Sequence, residues 1–390
     1  MSHVSPWQLP AGISSALPAQ AQSLEFLRRN FLDLYHNWGY ELVMPPFIEY
    51  LDALLTGTGA DLERNTFKLT DQLSGRLMGV RADMTPQVAR MEAHQLQRDV
   101  PTRLCYIGTV LRTHPKGLSR SRSLLQAGAE LFGHAGVASD IEILQLMQAS
   151  LQTISLPRIH IDIGHVAIYR NLVKQAELNP EQAKQLFDIV QRKDTTELHQ
   201  SLSQWQIKAD VAHWLIELFN LNGDASMLEH ARQVFMYADN EIKQALEELQ
   251  QIATVVNHPA LQFDLAELRG YSYHTGFMFS VYVEGYGDAI AAGGRYDDIG
   301  KKFGRARPAV GFSTDLRLLD SLRLDKPPAT DNKILAPDSN IPDLLKKVAE
   351  LRAQGHCVIR ALNKSTADEM DCQSQLERDQ RGQWQVVNNS

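Results

Sequence analysis

The stretch TRLCYIGTVLRTHPKGLSRSRSLLQAGAELFG, residues 102–133, decides the fold. Two apolar runs within it, 104–111 and 124–132, have the composition of strands. Pro115 and Gly117 lie between them and exclude a continuous helix. The same connection carries four basic residues, Arg112, Lys116, Arg120 and Arg122. The pattern predicts an antiparallel hairpin with a cationic loop at its tip.

Gln126 and Glu130 lie at even spacing on the second predicted strand. Residues i and i+4 of a strand point to the same side of the sheet, so both polar side chains face one way. Polar groups on one face beside a basic loop would suit a small anionic or zwitterionic ligand. The alternative is a surface hairpin with solvated charges. The apolar surroundings of Gln126 and Glu130 favour the binding site.

Composition sets the class of protein. The chain has 390 residues, 44% hydrophobic and 22% charged, with a net charge of −7, which is ordinary for a globular protein of one large and one small domain. No apolar run could cross a bilayer and the first residues lack a signal-peptide pattern, so we expect no membrane partner. The net acidity disfavours a tRNA partner.

Cysteine and histidine usage points to neither a disulfide framework nor a metal centre. Cys105, Cys357 and Cys372 are few and scattered, which favours a reducing cytoplasm. The 13 histidines show no spacing with carboxylates that is typical of a metal site. We therefore expect no metal and no cofactor.

Periodicity predicts a helix at 22–38, which Gly39 ends, and a strand at 40–44 before Pro45-Pro46. Ser139 and Glu142 read as a capping box at the start of another helix.

Further along, 158–163 alternates as a strand, and 166–256, called the helical insertion below, is rich in helix formers. Strand patterns return at 277–283. Residues 326–331 read as a linker. The tail then predicts a small α/β unit with strands at 333–336, 357–362 and 383–387 and a helix at 341–354.

Several stretches resemble class II aminoacyl-tRNA synthetases, and histidyl-tRNA synthetase most closely. The hairpin carries LRTH at 111–114 and QAGAE at 126–130, where that family has Phe-Arg-x-Glu and Gln-x-Gly-x-Glu. LRGYSYHTG at 268–276 and GGRY at 293–296 resemble two signatures of histidyl-tRNA synthetases. PAVGF at 308–312 resembles the start of motif 3.

The resemblance fails at the positions that bind ATP. His114 replaces the motif 2 glutamate, Leu318 replaces the arginine that packs on ATP, Arg317 replaces the glutamate before it, and Asp315 replaces a glycine. Adenylate formation needs positioned ATP and clamped phosphates. The departures imply a protein that does not charge tRNA.

The amino-acid pocket is better preserved. By resemblance, Asp83 and Gln126 would hold the α-ammonium of histidine, Arg112 and Arg269 its carboxylate, and Glu130 its imidazole N–H. Thr85, Tyr273 and His274 complete the predicted set. Two alternatives are that Asp83 and Thr85 only cap a helix, and that these groups form a buried polar network without a ligand. The cost of burying an unpartnered acid such as Glu130 favours binding.

Taken together, the chain is identified as a member of the regulatory subunits of short-form ATP phosphoribosyltransferase, a histidyl-tRNA synthetase-like family of histidine biosynthesis. The resemblance implies an α+β fold with an antiparallel sheet flanked by helices over 1–325, and a short α/β domain over 326–390. It also implies activation of a catalytic subunit, feedback inhibition by histidine, a homodimer through 22–46 and a hetero-octamer by analogy. The loop 112–122 and the helical insertion are candidate surfaces for the catalytic subunit.

Two alternatives remain open at this point. One is an active histidyl-tRNA synthetase with a degenerate ATP site, and the other is a stand-alone module that binds histidine or uncharged tRNA.

Overall fold

We describe a computed structural model of the chain over residues 7–56, 59–115, 117–271, 273–325, 333–362, 366–367 and 369–388. The chain divides into two compact units, Met1–Asp325 and Lys326–Ser390. The predicted linker 326–331 and Lys116 of the basic loop lie outside the described residues.

A nine-stranded sheet forms the framework of the first unit. Its strand order is β1-β5-β6-β12-β11-β10-β7-β9-β8, and a separate three-stranded sheet has the order β2-β4-β3. The pairs β1–β5 and β7–β9 are parallel, and the other neighbours are antiparallel. The strands of this unit are β1 Glu41–Leu42, β2 Ile48–Tyr50, β3 Phe67–Thr70, β4 Leu77–Val80, β5 Thr102–Leu111, β6 Ser123–Phe132, β7 Ile159–His165, β8 Asn222–Gly223, β9 Leu261–Asp264, β10 Phe277–Val283, β11 Tyr286–Arg295 and β12 Ala309–Asp315.

Helices pack against this sheet, and their apolar faces form the main core with residues such as Leu27, Phe31, Ile143 and Met147. The helices of the first unit are α1 Pro18–Asn37, α2 Leu51–Leu55, α3 Ala60–Asn65, α4 Thr85–Met91, α5 Val137–Gln152, α6 Val166–Gln175, α7 Pro180–Arg192, α8 Thr195–Gln204, α9 Ala209–Glu217, α10 Met227–Val234, α11 Asn240–Val256, α12 Ile299–Lys302 and α13 Leu316–Leu322. A π-helical turn, Glu92–Leu96, follows α4.

The predicted hairpin is confirmed. β5 and β6 pair in continuous antiparallel register from Thr102↔Phe132 to Leu111↔Ser123. β6 then pairs with β12 on its other edge, which brings Glu130 opposite Gly311. The hairpin is therefore central to the sheet, and the side chains of Gln126 and Glu130 are buried.

Two local predictions need correction. Ser139 does not cap α5, because the helix begins at Val137 with Gly136 as its N-cap; Ser139 Oγ donates to the carbonyl of Gly136 at 2.8 Å instead. The strand predicted at 40–44 shortens to β1, since only Glu41 and Leu42 pair with β5.

The second unit is a small α/β domain with its own core around Ile334, Leu344 and Val348. Its elements are β13 Ile334–Ala336, α14 Pro342–Ala353, β14 Val358–Arg360, β15 Ser374–Arg378 and β16 Trp384–Asn388. They form one sheet in the order β14-β13-β15-β16. All of these elements except β15 were predicted from the sequence.

Within the described ranges, none of the helices combines the length and the apolar character that a bilayer crossing requires.

Candidate functional site

A cavity of about 690 Å³ opens beside the central strands of the large sheet. All eight predicted site residues lie along its wall: Asp83, Thr85, Arg112, Gln126, Glu130, Arg269, Tyr273 and His274. They come from α4 and the turn before it, β5–β6, and the segment 268–276, so chain positions almost 200 residues apart meet here.

Glu130 lies at the deep end of the cavity and is 1% exposed. Its carboxylate accepts a hydrogen bond from the Tyr106 hydroxyl at 2.9 Å and a second one from the Tyr296 hydroxyl. Burial is the main influence on this group and raises its pKa to about 8, although both phenols favour the charged form. Glu130 therefore holds a proton near neutral pH when no cation is beside it.

The roles of Tyr106 and Tyr296 were not predicted from the sequence. The signal that could have revealed Tyr106 is Gly128, which pairs with it across the β5–β6 ladder. A Cβ atom at Gly128 would overlap the Tyr106 hydroxyl. Because Gly128 has no side chain, the phenol of Tyr106 has room to reach Glu130.

Asp83 and Gln126 form one hydrogen-bonded unit at the N-terminus of α4. Gln126 Nε2 donates to Asp83 Oδ1 at 3.0 Å, and the backbone N–H of Thr85 donates to the same oxygen at 3.0 Å. The Gln126 carbonyl accepts from the backbone N–H of Met84 at 3.0 Å. These bonds fix the carboxylate of Asp83 and leave its Oδ2 for a ligand.

Thr85 connects this unit to the deep end, because its hydroxyl is 2.9 Å from the Tyr106 hydroxyl. A continuous polar chain therefore runs from Asp83 through Thr85 and Tyr106 to Glu130.

Tyr273 and His274 form an aromatic wall. The Tyr273 ring stacks on Tyr296 with centroids 5.1 Å apart, and His274 meets Tyr273 edge-on at 5.5 Å. Burial lowers the pKa of His274 to about 4, so its ring is neutral at physiological pH. The Tyr273 hydroxyl and His274 Nδ1 are buried polar atoms that have no hydrogen-bond partner among the described residues. A bound polar ligand is one way to satisfy such atoms.

The two predicted carboxylate-binding arginines differ in their surroundings. Arg112 is half-buried, and its Nε donates to the carbonyl of Ala82 at 3.4 Å. Arg269 is 60% exposed in its side chain, pairs with Glu267 at 3.6 Å, and lies over the Tyr282 ring at 5.2 Å. Arg269 is thus at the rim of the cavity rather than inside it.

The positions at which the sequence departs from the ATP-binding pattern have a different character. Asp315, the partner of Gln126 in the β6–β12 ladder, and Leu318 both line the cavity. Asp315 accepts from the backbone N–H groups of Leu125 and Arg317, each at 3.0 Å, and burial raises its pKa although Arg317 and Arg112 oppose the shift. His114 is exposed and contacts the Thr113 hydroxyl. Asp315 and Leu318 thus offer an acid and an apolar group where the synthetase pattern has a glycine and an arginine.

No set of three or more His, Cys, Asp or Glu side chains converges as a metal site in the part of the chain that the structure describes.

Comparisons with known proteins agree on the family. A family model described as "Histidyl-tRNA synthetase" matches residues 12–319, and one described as "ATP phosphoribosyltransferase subunit HisZ C-terminal domain" matches residues 331–387. The chain is 52% identical to the ATP phosphoribosyltransferase regulatory subunit of Thioalkalivibrio sulfidiphilus, over 98% of each chain. It is 50% identical to that of Alkalilimnicola ehrlichii, over 97% of this chain and 96% of the relative.

The chain belongs to the ATP phosphoribosyltransferase regulatory subunit family.

Solved structures confirm the predicted fold. A Bacillus halodurans protein titled "ATP phosphoribosyltransferase regulatory subunit/histidyl-tRNA synthetase" superposes with a TM-score of 0.82 at 26% identity, covering 95% of this chain and 97% of the other. Histidyl-tRNA synthetase from Nostoc sp. PCC 7120 gives 0.78 at 18% identity, covering 98% and 97%. The regulatory subunit family is therefore built on a class II synthetase-like sheet, and membership in it favours the regulatory prediction over the synthetase alternative.

Proposed function

We propose that the chain is the non-catalytic regulatory subunit of a short-form ATP phosphoribosyltransferase. In this role it activates the catalytic subunit and confers feedback inhibition by histidine on the first step of L-histidine biosynthesis. Near-full-length relatives at about half identity carry the regulatory-subunit name, and both family models agree with it.

The contrast between two sets of cavity residues carries the proposal. Directed hydrogen bonds hold Glu130, Asp83 and Gln126, and the carboxylate of Glu130 is buried. Asp315 and Leu318 line the cavity with an acid and an apolar group where the synthetase pattern has a glycine and the arginine that packs on ATP. The first set suits an amino acid, and the second lacks the arginine that holds ATP in the synthetases.

Histidine enters this site with its α-ammonium at Asp83 and its imidazole at Glu130. Gln126 orients Asp83. Arg112, together with Arg269 at the rim of the cavity, binds the carboxylate of histidine. Thr85 links the two acids, while Tyr273 and His274 flank the ring.

Feedback requires more than tight binding. Histidine shifts the complex toward the inhibited state only by the difference between its affinities for the inhibited and active states. Such coupling is typically about 1–3 kcal/mol.

The chain assembles with a catalytic phosphoribosyltransferase subunit and with a second copy of itself through residues 22–46, in a hetero-octamer by analogy with the family. Neither tRNA nor a membrane is a partner, no cofactor is required, and the assembly works in the cytoplasm. The net charge of −7 supports the exclusion of tRNA.

The test is to mix the chain with a short-form catalytic subunit and to measure phosphoribosyl transfer to ATP with and without histidine. We expect activity to rise on mixing and to fall when histidine is added. Histidine-dependent exchange between ATP and pyrophosphate by the chain alone serves as the opposing assay. Measurable exchange would refute a non-catalytic role and support the synthetase alternative.

A further inference from the structure

The segment 268–276, which supplies Tyr273 and His274 to the cavity, is held from outside by the helical insertion. Arg170 of α6 donates through Nη2 to the carbonyl of His274 at 3.0 Å and to that of Tyr271 at 3.3 Å. Its guanidinium also lies over the Tyr271 ring at 5.2 Å. One side chain therefore contacts the segment on both sides of Tyr273.

Tyr271 adds an apolar anchor to the same helices. Its ring meets Tyr169 of α6 edge-on at 5.3 Å and Phe187 of α7 at 5.4 Å. The backbone N–H of Val166, the first residue of α6, donates to the carbonyl of Gly276 at 3.0 Å. The insertion thus contacts the segment at its middle and at its end.

The hydrogen bonds that the segment makes with itself are those of a tight turn. The backbone N–H groups of Tyr273 and His274 both donate to the carbonyl of Gly270 at 2.8 Å. Gly270 has φ +76°, and a Cβ atom there would lie 2.6 Å from the His274 ring. The turn sets the local shape, but only contacts from other elements fix its place in the cavity wall.

We propose that Arg170 is a positioning residue for the ligand: it braces the segment 268–276 so that Tyr273 and His274 already stand at the cavity before histidine arrives. The same contacts join the cavity wall to α6 of the helical insertion. This inference rests on the proposed histidine site. A group that preorganises a site raises affinity by removing the cost of ordering it.

Arg170→Ala tests the brace, with Arg170→Lys as the conservative variant. Arg170 is exposed, so the melting temperature should stay within about 2 °C of wild type. Loss of two charge-assisted bonds should weaken histidine binding about tenfold by calorimetry. A lysine ammonium can donate to a carbonyl but has no planar guanidinium to lie over the Tyr271 ring, so it should restore part of the affinity.

Arg192→Ala is the matched control, because Arg192 lies in the insertion with a 59% exposed side chain and pairs with Glu197. It should leave histidine affinity unchanged. Hydrogen exchange without histidine gives a second readout: amides of 268–276 should exchange faster in Arg170→Ala and at the wild-type rate in Arg192→Ala.

The outcomes separate the two proposals. Wild-type protein that fails to bind histidine at millimolar concentration would overturn the histidine site and this inference with it. Wild-type protein that binds, with equal affinity and equal exchange in Arg170→Ala, would overturn the brace alone.

Discussion

At the scale of the residue, the buried carboxylate of Glu130 decides what the cavity can hold. It is fully buried and receives two phenol hydrogen bonds, yet its pKa rises to about 8 because desolvation outweighs them. A ligand group that is cationic, or that can accept the proton of Glu130, would offset the cost of burying this carboxylate. The imidazole of histidine meets that requirement.

Glu130→Gln should weaken histidine binding about 10- to 100-fold, because it removes a charge-assisted hydrogen bond worth about 1.5–3 kcal/mol. Titration calorimetry measures the effect. Glu142→Gln is the control, since Glu142 is a partly buried acid that pairs with Arg103 outside the cavity. Equal losses of histidine affinity in both variants would point to general destabilisation. An unchanged affinity in Glu130→Gln would show that the imidazole does not bind at Glu130.

The pH dependence of binding follows from the same acid. The bound pair, carboxylate and imidazolium, holds one proton. Between pH ~6.5, where free imidazole titrates, and pH 8, where empty Glu130 titrates, the separated partners also hold one proton. Affinity should therefore be level in that window and fall about tenfold per pH unit on either side.

Calorimetry across pH in buffers of different ionisation enthalpy checks this profile. Proton uptake should be near zero at pH 7 and approach one per histidine at pH 9. Affinity that instead rises up to about pH 8 and then levels off would mean that deprotonated Glu130 binds neutral imidazole, because the proton of Glu130 would then be released on binding.

At the scale of the element, the pairing of β6 with β12 protects Glu130 from crowding. Gly311 lies directly opposite Glu130 in the ladder, and a Cβ atom there would overlap Glu130 Oε2. The glycine of the PAVGF stretch therefore belongs to the site, although it offers no functional group.

Gly311→Ala should push the Glu130 side chain out of its pocket and reduce histidine affinity more than Glu130→Gln does. Gly164→Ala is a suitable comparison, because Gly164 also lies within a strand of the large sheet. A Cβ atom added there would lie 3.2 Å from its nearest neighbour, the carbonyl oxygen of Asp264, and so would not overlap it. Calorimetry and circular dichroism together measure affinity and folding. Folded Gly311→Ala protein with normal affinity would contradict the assigned position of Glu130.

Sequence pattern was informative where a run of residues is apolar. The strand predicted at 277–283 has the bounds of β10, and the runs predicted at 104–111 and 124–132 lie within β5 and β6. The three-stranded sheet of β2, β3 and β4 was not predicted, because its strands are short. Their apolar side chains Ile48, Leu69 and Leu77 are exposed, so the strands show no alternation of buried apolar and exposed polar residues. The strand β15 was missed since its residues Ser374–Arg378 are largely polar.

The site was predicted less completely than the fold. Family motifs identified the acids at 83 and 130, but the phenols of Tyr106 and Tyr296 depend on strand register, which a single sequence does not give. The exposure of Arg269 and the contacts of Arg170 likewise depend on tertiary structure. They follow from how the turn at 268–276 packs against α6, a helix about 100 residues earlier in the chain.

At the scale of the whole molecule, the residues that line the cavity belong to the first unit. Every residue that lines the cavity lies between Gly59 and Leu318, within the unit Met1–Asp325. The unit Lys326–Ser390 has its own sheet and its own apolar core. The two family models divide the chain at nearly the same place, at residues 319 and 331.

A chain ending at Asp325 should therefore bind histidine within about twofold of the full-length protein, since no cavity group is removed and additive behaviour is expected for distant sites. Calorimetry gives the affinity, and circular dichroism with a cooperative thermal transition establishes that the shortened chain is folded. Arg170→Ala made in the shortened chain should lose affinity by the same factor as in the full chain, because the brace is also internal to the first unit. A folded 1–325 chain without histidine affinity would contradict this expectation and show that the C-terminal unit is required for binding.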